Sequence, residues 1–251
     1  MGSVGEVRAY VDVHSHVVPS GDDGARSVEA GLALCLDAGR HGTRTLYGTP
    51  HVWPSLPLTA ERERAVRAAH AEMAAELAPH GVDLRLGWEL TPSEALLDED
   101  PERYRLGNLR AVLMEVPFHG SLALAERLAE HVEAHGLMPI VAHPERAEGV
   151  RENSGAAEAL RERDWLLQVN ATSLLGYHGP EQAQEGWRLV ETGLADLVAS
   201  DGHRTARPPF LDAAYDLVLG RVGAERADAL FTGAALDELV RADGLDLAQR
   251  G

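Results

Sequence analysis

The sequence contains no lysine: all 23 of its basic residues are arginine. That absence removes every device that needs a primary amine, including a phosphate-loop lysine, Schiff-base chemistry and a carbamylated-lysine metal bridge. Cysteine is almost missing as well. Cys35 stands alone, which excludes a disulfide framework and a thiolate zinc cluster. It lies in "LALCLD" without the phosphate-binding loop and arginine that follow the nucleophile of thiol phosphatases, so it reads as a small core residue. Aromatic residues are only 5% of the chain, which leaves the core to aliphatic side chains. Positive charge is outnumbered: 23 Arg face 40 Asp and Glu, for a formal net charge of −17. Such a balance opposes a broad nucleic-acid surface, because phosphate backbones are held by clustered cations. No apolar run reaches the roughly 18 residues of a membrane span, and the N-terminus has no apolar signal core. The expectation is a cytoplasmic protein with no direct membrane insertion.

What is present is alternation. Short β-rich runs recur at 7–13, 43–49, 82–88, 111–116, 137–142, 165–170 and 195–200. Amphipathic helical stretches lie between most of them, at 27–41, 59–79, 121–135, 154–163, 180–192 and 209–220, followed by a C-terminal helical tail. Ser27, Thr59 and Ser121 stand at N-cap positions, while His41-Gly42, His80-Gly81 and His135-Gly136 supply helix stops. Strands alternating with helices imply a parallel α/β sheet. Seven such units predict a distorted TIM-like (β/α)7 barrel, with an open doubly wound sheet as the weaker option. No linker-like tract divides the chain, so residues 1–251 are expected to form one domain.

The polar outliers fall at the carboxyl ends of the predicted strands. His14 and His16 follow the first, His51 the second, Glu89 the third, Glu115 the fourth, His143 the fifth, Asn170 the sixth, and Asp201 with His203 the seventh. In parallel barrels that face carries the active site. The His-x-His and Asp-x-His spacings let residues i and i+2 reach one centre from a strand end. With Asp23, the set holds five imidazoles and four carboxylates, more than one zinc ion can use. Two or three divalent ions are needed, and a mixed imidazole and carboxylate set suits Mn, Fe or Zn. Three such ions outweigh four carboxylates, so a phosphate would meet a positive cleft. Paired metals can supply a hydroxide nucleophile and clamp phosphoryl oxygens. Arg146 in "AHPER" and Arg207 in "DGHRTARPP" can fork onto a phosphate, and Arg204 is a weaker candidate.

Each residue also has a plainer explanation. His51 taken alone fits a hydrogen-bonded strand-end residue better than a ligand; five histidines on successive strand ends reverse that preference. "DDG" is ordinary turn chemistry, so Asp22 is assigned to the turn and Asp23 to the site. Glu115, between "AVLM" and "VPF", would otherwise be a buried unpaired carboxylate. His131 and His135 do not form the HExxH pattern and read as a helix end, and His70 as a helix-surface residue. His119, His178, Asn170 and Arg204 are left without a role.

The segments "DVHSHVVPSGDDGA", "GTPH", "GWEL", "LMEVPF", "VAHPER", "LQVNATSL" and "VASDGHRTARPP" resemble, in order, the motif series of the polymerase and histidinol phosphatase (PHP) superfamily. Within it they resemble the bacterial manganese-dependent protein-tyrosine phosphatases of capsule and exopolysaccharide loci. The resemblance implies a distorted seven-unit β/α barrel and three divalent metals, manganese foremost. It implies as metal ligands His14, His16, Asp23, His51, Glu89, Glu115, His143, Asp201 and His203, and as phosphate-holding residues Arg146 and Arg207. The implied reaction is phosphotyrosine hydrolysis by a metal-bridging hydroxide, with no cysteine intermediate. The proton donor to the leaving group stays open between Asp23, the site histidines and a coordinated water. The implied partner is a phosphotyrosine protein, a bacterial tyrosine-kinase tail among the options. A small-molecule phosphatase, for example on histidinol phosphate, and a regulatory metal-binding scaffold with little turnover are the competing expectations. The "VWPSLP" segment after His51 departs from the more polar family pattern, which leaves leaving-group specificity open.

Overall fold

A computed structural model describes residues 9–153, 155–237 and 239. Its elements alternate as the sequence predicts. The first half runs β1 (Tyr10–Ser15), α1 (Val28–Arg40), β2 (Thr43–Gly48), β3 (His51–Val52), α2 (Ala60–Leu77), β4 (Asp83–Leu86), β5 (Glu89–Leu90) and β6 (Ala111–Glu115). The second half runs α3 (Ala123–Ala134), β7 (Met138–Ala142), α4 (Glu148–Arg151), α5 (Ala156–Glu162), β8 (Leu166–Asn170), α6 (Ala171–Leu174), α7 (Pro180–Glu191), β9 (Leu197–Ala199), α8 (Asp212–Val222) and α9 (Ala224–Phe231). The start of the expected first strand at 7–8, residue 154, and the helical tail beyond 239 lie outside the described residues.

All strand pairs are parallel, in two sheets ordered β1-β2-β4 and β3-β5-β6-β7-β8-β9. The expected strands at 43–49 and 82–88 form as β2 and β4, and each is followed after a two-residue break by a short strand beyond the expected range, β3 and β5. Thr49 and Pro50 separate β2 from β3, because proline cannot donate to the ladder. Gly87 and Trp88 separate β4 from β5. The backbone still bonds across both breaks, from Gly87 N to Gly48 O at 2.9 Å and from Glu89 N to Pro50 O at 3.1 Å. At the opposite margin β1 meets the end of β9. Asp201 N donates to His14 O at 2.9 Å and His16 N to Gly202 O at 2.6 Å. Buried Asp12 strengthens that seam by accepting from Ser200 N at 3.0 Å and Ser200 Oγ at 2.5 Å.

Strand periodicity sorts the core into two layers. Val112 and Met114 of β6 pack into a large cluster that also holds Leu128 and Val132 of α3, while Ala111 and Leu113 join a smaller cluster with Val13, Ile140, Leu197 and Ala199. β6 is therefore buried on both faces, as a parallel strand covered by helices must be. Burial of these aliphatic side chains contributes about 25 cal/mol per Å² removed from water.

Helix ends follow local chemistry. Ser27 Oγ accepts from Ala30 N and Thr59 Oγ1 from Arg62 N, each at 3.2 Å. Ser121 is displaced by one position: Leu122 is the N-cap of α3, and Ser121 Oγ accepts from Ala123 N instead. Gly81 adopts φ 70°, a left-handed stop that a residue with a Cβ resists. Among the described residues no helix is long and apolar enough to cross a membrane.

Candidate metal centre

The strand ends bring the predicted residues into one cluster, buried except for Asp23, which is exposed in the loop after β1. The Nε2 atoms of His14 and His16 lie 3.2 Å apart. Each is 3.1 Å from Glu89 Oε2 and 3.5 Å from Asp201 Oδ1. His143 Nε2 is 3.0 Å from Glu89 Oε1. His51 Nδ1 sits 3.0 Å from Glu89 Oε2. On the outer side, Asp23 Oδ1 lies 3.2 Å from His203 Nε2 and 3.7 Å from His51 Nε2. The donor atoms form three overlapping groups: His16, Asp23, His51 and His203; His14, Glu89 and His143; and His14, His16 and Asp201. Eight of the nine predicted ligands belong to them. Glu115 does not; it lines the adjoining cavity, and Thr91 Oγ1 donates to it.

Two of these residues are held in backbone conformations that side chains ordinarily avoid. His143 has φ 37° and Asp201 φ 51°. Left-handed non-glycine residues cost of order 1–3 kcal/mol each and persist where the surroundings over-determine them. The β1–β9 seam and the bond from His143 N to Gln168 O at 2.7 Å supply that support.

The electrostatics call for cations. Burial opposes charge on Glu89, yet the imidazoles of His14 and His51 hold its carboxyl well below the ordinary carboxylate range. Burial likewise opposes charge on Asp201, and His14 and His16 overcome it. Glu115 has no comparable partner, and burial together with the Glu89 charge pushes it up to about 7. Glu89 Oε2, His51 Nδ1 and His143 Nδ1 are buried without an aligned hydrogen bond. The first two are only 3.0 Å apart, so proximity without alignment marks them as lone pairs aimed at a common point. Orphaned buried polar atoms cost about 1–3 kcal/mol each unless something satisfies them. Divalent cations fit this donor set: imidazole nitrogens and carboxylate oxygens, with no thiolate within it.

Behind the donors stands a polar layer in which Gln168 is new, while Asn170 and Asp22 gain contacts that the sequence did not assign them. Gln168 Oε1 meets His14 Nδ1 at 2.9 Å, and Gln168 Nε2 donates to Asn170 Oδ1 at 2.9 Å. Asn170 Nδ2 donates to Asp201 Oδ2 at 2.8 Å, which gives Asn170 an orienting role. Asp22, expected to be only a turn residue, approaches His16 Nδ1 at 3.3 Å and accepts from His51 N at 3.0 Å. Partners of this kind fix the orientation of a metal-binding imidazole. Gln168 had a legible signal: it lies two residues before Asn170 and therefore on the same strand face.

Both predicted phosphate arginines reach the cavity. Arg146 donates from NH1 to Asp201 Oδ2 at 3.0 Å and stacks its guanidinium 4.3 Å over the Phe118 ring. Arg207 NH2 contacts His203 Nδ1 and lies 3.7 Å from Asp201 Oδ1. Arg204 instead donates to Gly24 O. The cavity, about 190 Å³, is lined by Asp23, His51, Glu115, His143, Asp201 and His203, both arginines, and the rings of Trp53 and Phe118. His178 bonds Ser173 Oγ at 2.8 Å, and His119 is exposed beside Glu148. His70 is half-buried rather than superficial, bonded to Leu84 O, and His131 bonds Glu99 O. Cys35 is fully buried in the helix layer, its thiol pushed up to about 12 by burial.

Comparison with known proteins agrees with this geometry. The family described as "Capsular polysaccharide synthesis, CpsB/CapC" matches residues 10–239. The tyrosine-protein phosphatase YwqE of Bacillus subtilis is 31% identical over 207 residues, covering 80% of each chain. The tyrosine-protein phosphatase CpsB of Streptococcus pneumoniae is 29% identical over 233 residues, covering 88% of this chain and 94% of its own. A crystal structure from work on those two proteins, described as unique metal-dependent tyrosine phosphatases, superposes with a TM-score of 0.81 at 28% identity. It covers 92% of this chain and 94% of that one.

Proposed function

The chain belongs to the CpsB/CapC family of capsular polysaccharide synthesis, and from that premise we propose that it is a metal-dependent phosphomonoesterase hydrolysing phosphotyrosine in proteins. The observation that carries the reading is the convergence of three metal-donor groups and two arginines on one cavity, while the only cysteine is buried outside it.

We assign His14, His16, Asp23, His51, Glu89, Glu115, His143, Asp201 and His203 as the residues that hold the metals. Three divalent ions are the stoichiometry, manganese the first choice and iron or zinc the others. Divalent ions bound there supply Lewis-acid neutralisation of phosphoryl charge and acidify water. The chain's own groups do the rest. Arg146 and Arg207 orient the phosphate, and their fixed positive charge stabilises the equatorial oxygens as the ester bond breaks. Asp201 and Phe118 hold the Arg146 guanidinium in place before substrate arrives. The hydrogen bond from His203, opposed by partial burial, holds Asp23 below the ordinary carboxylate range. A phenolate, with a pKa near about 10, can leave with only partial protonation.

The same reading treats residues 1–251 as one domain and the two sheets as a distorted seven-unit β/α barrel with the site at the strand carboxyl ends. Continuity of β2 into β3 and of β4 into β5, and the β1–β9 bonds, support it. The partner is a phosphotyrosine protein, such as the tail of a bacterial tyrosine kinase, and the location is the cytoplasm. The test compares kcat/KM of manganese-loaded protein for a phosphotyrosine peptide and for histidinol phosphate, with a chelated control. Chelator-sensitive preference for the peptide is expected. Preference for histidinol phosphate would move the activity to small molecules, and inactivity on both would leave a scaffold.

A further inference from the structure

Of the ten residues lining the central cavity, eight are titratable, and only Trp53 and Phe118 are not. The titratable groups and any metals they hold act on the phosphoryl group, which every phosphomonoester carries. Discrimination between esters must therefore come from contacts to the leaving group. We infer that Trp53 and Phe118 are aryl-selective walls of this cavity, which contact the aromatic ring of the departing alcohol and favour aryl over alkyl phosphomonoesters. The inference deepens the phosphatase reading and rests on it.

Placement supports the assignment. Trp53 stacks on His51 with ring centroids 4.4 Å apart and planes at 29°. Phe118 lies 5.7 Å from the His143 ring. Each wall therefore adjoins a different donor imidazole. Phe118 is a large apolar side chain left 39% exposed. Exposing apolar area to water loses the gain that burial would bring, at about 25 cal/mol per Å², until another apolar surface covers it. The aromatic ring of a leaving group provides such a surface.

Both walls are also fixed in place. Leu56 N donates to Trp53 O at 2.9 Å, which closes the proline turn, and Arg62 pins that turn by donating to Leu56 O at 2.8 Å and His51 O at 2.7 Å. Phe118 is held by the Arg146 guanidinium and by the bond from Glu148 N to Phe118 O at 2.9 Å. Rigid rings lose little entropy on contact, so stacking passes into affinity. The proline-rich turn that left specificity open in the sequence is, on this assignment, a support for one wall.

The experiment measures Kd by calorimetry for phenylphosphonate and n-butylphosphonate on manganese-loaded protein, and kcat/KM for phosphotyrosine and phosphoserine forms of one peptide. Wild type should prefer the aryl member of each pair. That preference should fall about three- to tenfold in Trp53→Ala and in Phe118→Ala, the range expected for loss of one aromatic pair. Trp53→Phe and Phe118→Tyr should retain most of it. Metal content is measured in each variant, because Trp53 touches His51. An unchanged preference in both alanine variants overturns the inference, as does an equal loss for aryl and alkyl ligands, which would make the rings mere supports for His51 and Arg146. Loss in only one variant overturns the two-walled form. Selective phenylphosphonate binding without release of phosphate from phosphotyrosine would overturn the phosphatase reading and leave the ring assignment standing; release without ring selectivity would do the reverse.

Discussion

Replacing Arg146 with alanine separates phosphate holding from metal holding. The guanidinium is largely buried, its side chain 19% exposed, and its bond to Asp201 Oδ2 is 3.0 Å. Its loss does not strand Asp201, because Asn170 Nδ2 still donates to the same oxygen at 2.8 Å and three imidazoles remain close to Oδ1. Metal content should therefore stay near that of wild type. A hydrogen bond to a charged group contributes about 1.5–3 kcal/mol, which converts to a loss of about 10- to 150-fold in kcat/KM. The cation–π contact with Phe118 adds less than about 1 kcal/mol to stability, since Phe118 is partly exposed. Arg146→Lys should recover only part of the loss, because an ammonium cannot present the planar fork. The assay is steady-state hydrolysis of a phosphotyrosine peptide together with metal analysis of the same preparation. Wild-type turnover in Arg146→Ala would refute the phosphate-holding role, and loss of metal in proportion to activity would reassign Arg146 to support of Asp201.

The remaining predictions concern the donors and the thiol. Chelation should abolish phosphatase activity, and added manganese should raise Tm by an amount equivalent to about 2.7 kcal/mol at one hundred times Kd; a Tm insensitive to manganese would count against a folded-state metal site. Asp22→Ala frees His16 Nδ1 and His51 N, so metal affinity should fall about 10- to 100-fold in a metal titration, and unchanged affinity would return Asp22 to the turn. Cys35→Ser should retain catalysis while losing about 1–3 kcal/mol of stability from a buried hydroxyl, read by denaturant titration; a folded but inactive variant would contradict a reaction without a thiol.

How much of this was legible in the sequence depended on the range of the determinant. The strand-end donors were legible because parallel strands place their carboxyl ends on one face, so His14, His143 and Asp201 can be matched without knowing any loop path. The breaks at Pro50 and Gly87 were not, because a run such as "TRTLYGTPHV" keeps β-propensity on both sides of the proline. Ser121 missed its cap by one residue for a similarly local reason: Ser and the backbone compete within one turn. Asp22 and Asp23 are chemically alike within "DDG", and only the three-dimensional course of the loop decides which faces His16 Nδ1 and which faces His203 Nε2. Trp53 was legible only as part of the "VWPSLP" departure, because its support from Arg62 lies outside that segment, and Phe118 carried no signal because Arg146, which holds it, is distant in sequence.

The seam between β1 and β9 bears on how the protein is made. Asp12 and Ser200 are separated by 188 positions, yet they meet in two buried hydrogen bonds. At a synthesis rate of about 5–20 residues per second, roughly 10–40 s pass between their emergence. During that interval His14, His16 and His51 exist without Asp201 and His203, so the nascent chain offers imidazoles before the last donors that complete the cluster have been made. A divalent ion that meets the nascent chain before Asp201 and His203 have been made therefore meets an incomplete donor set.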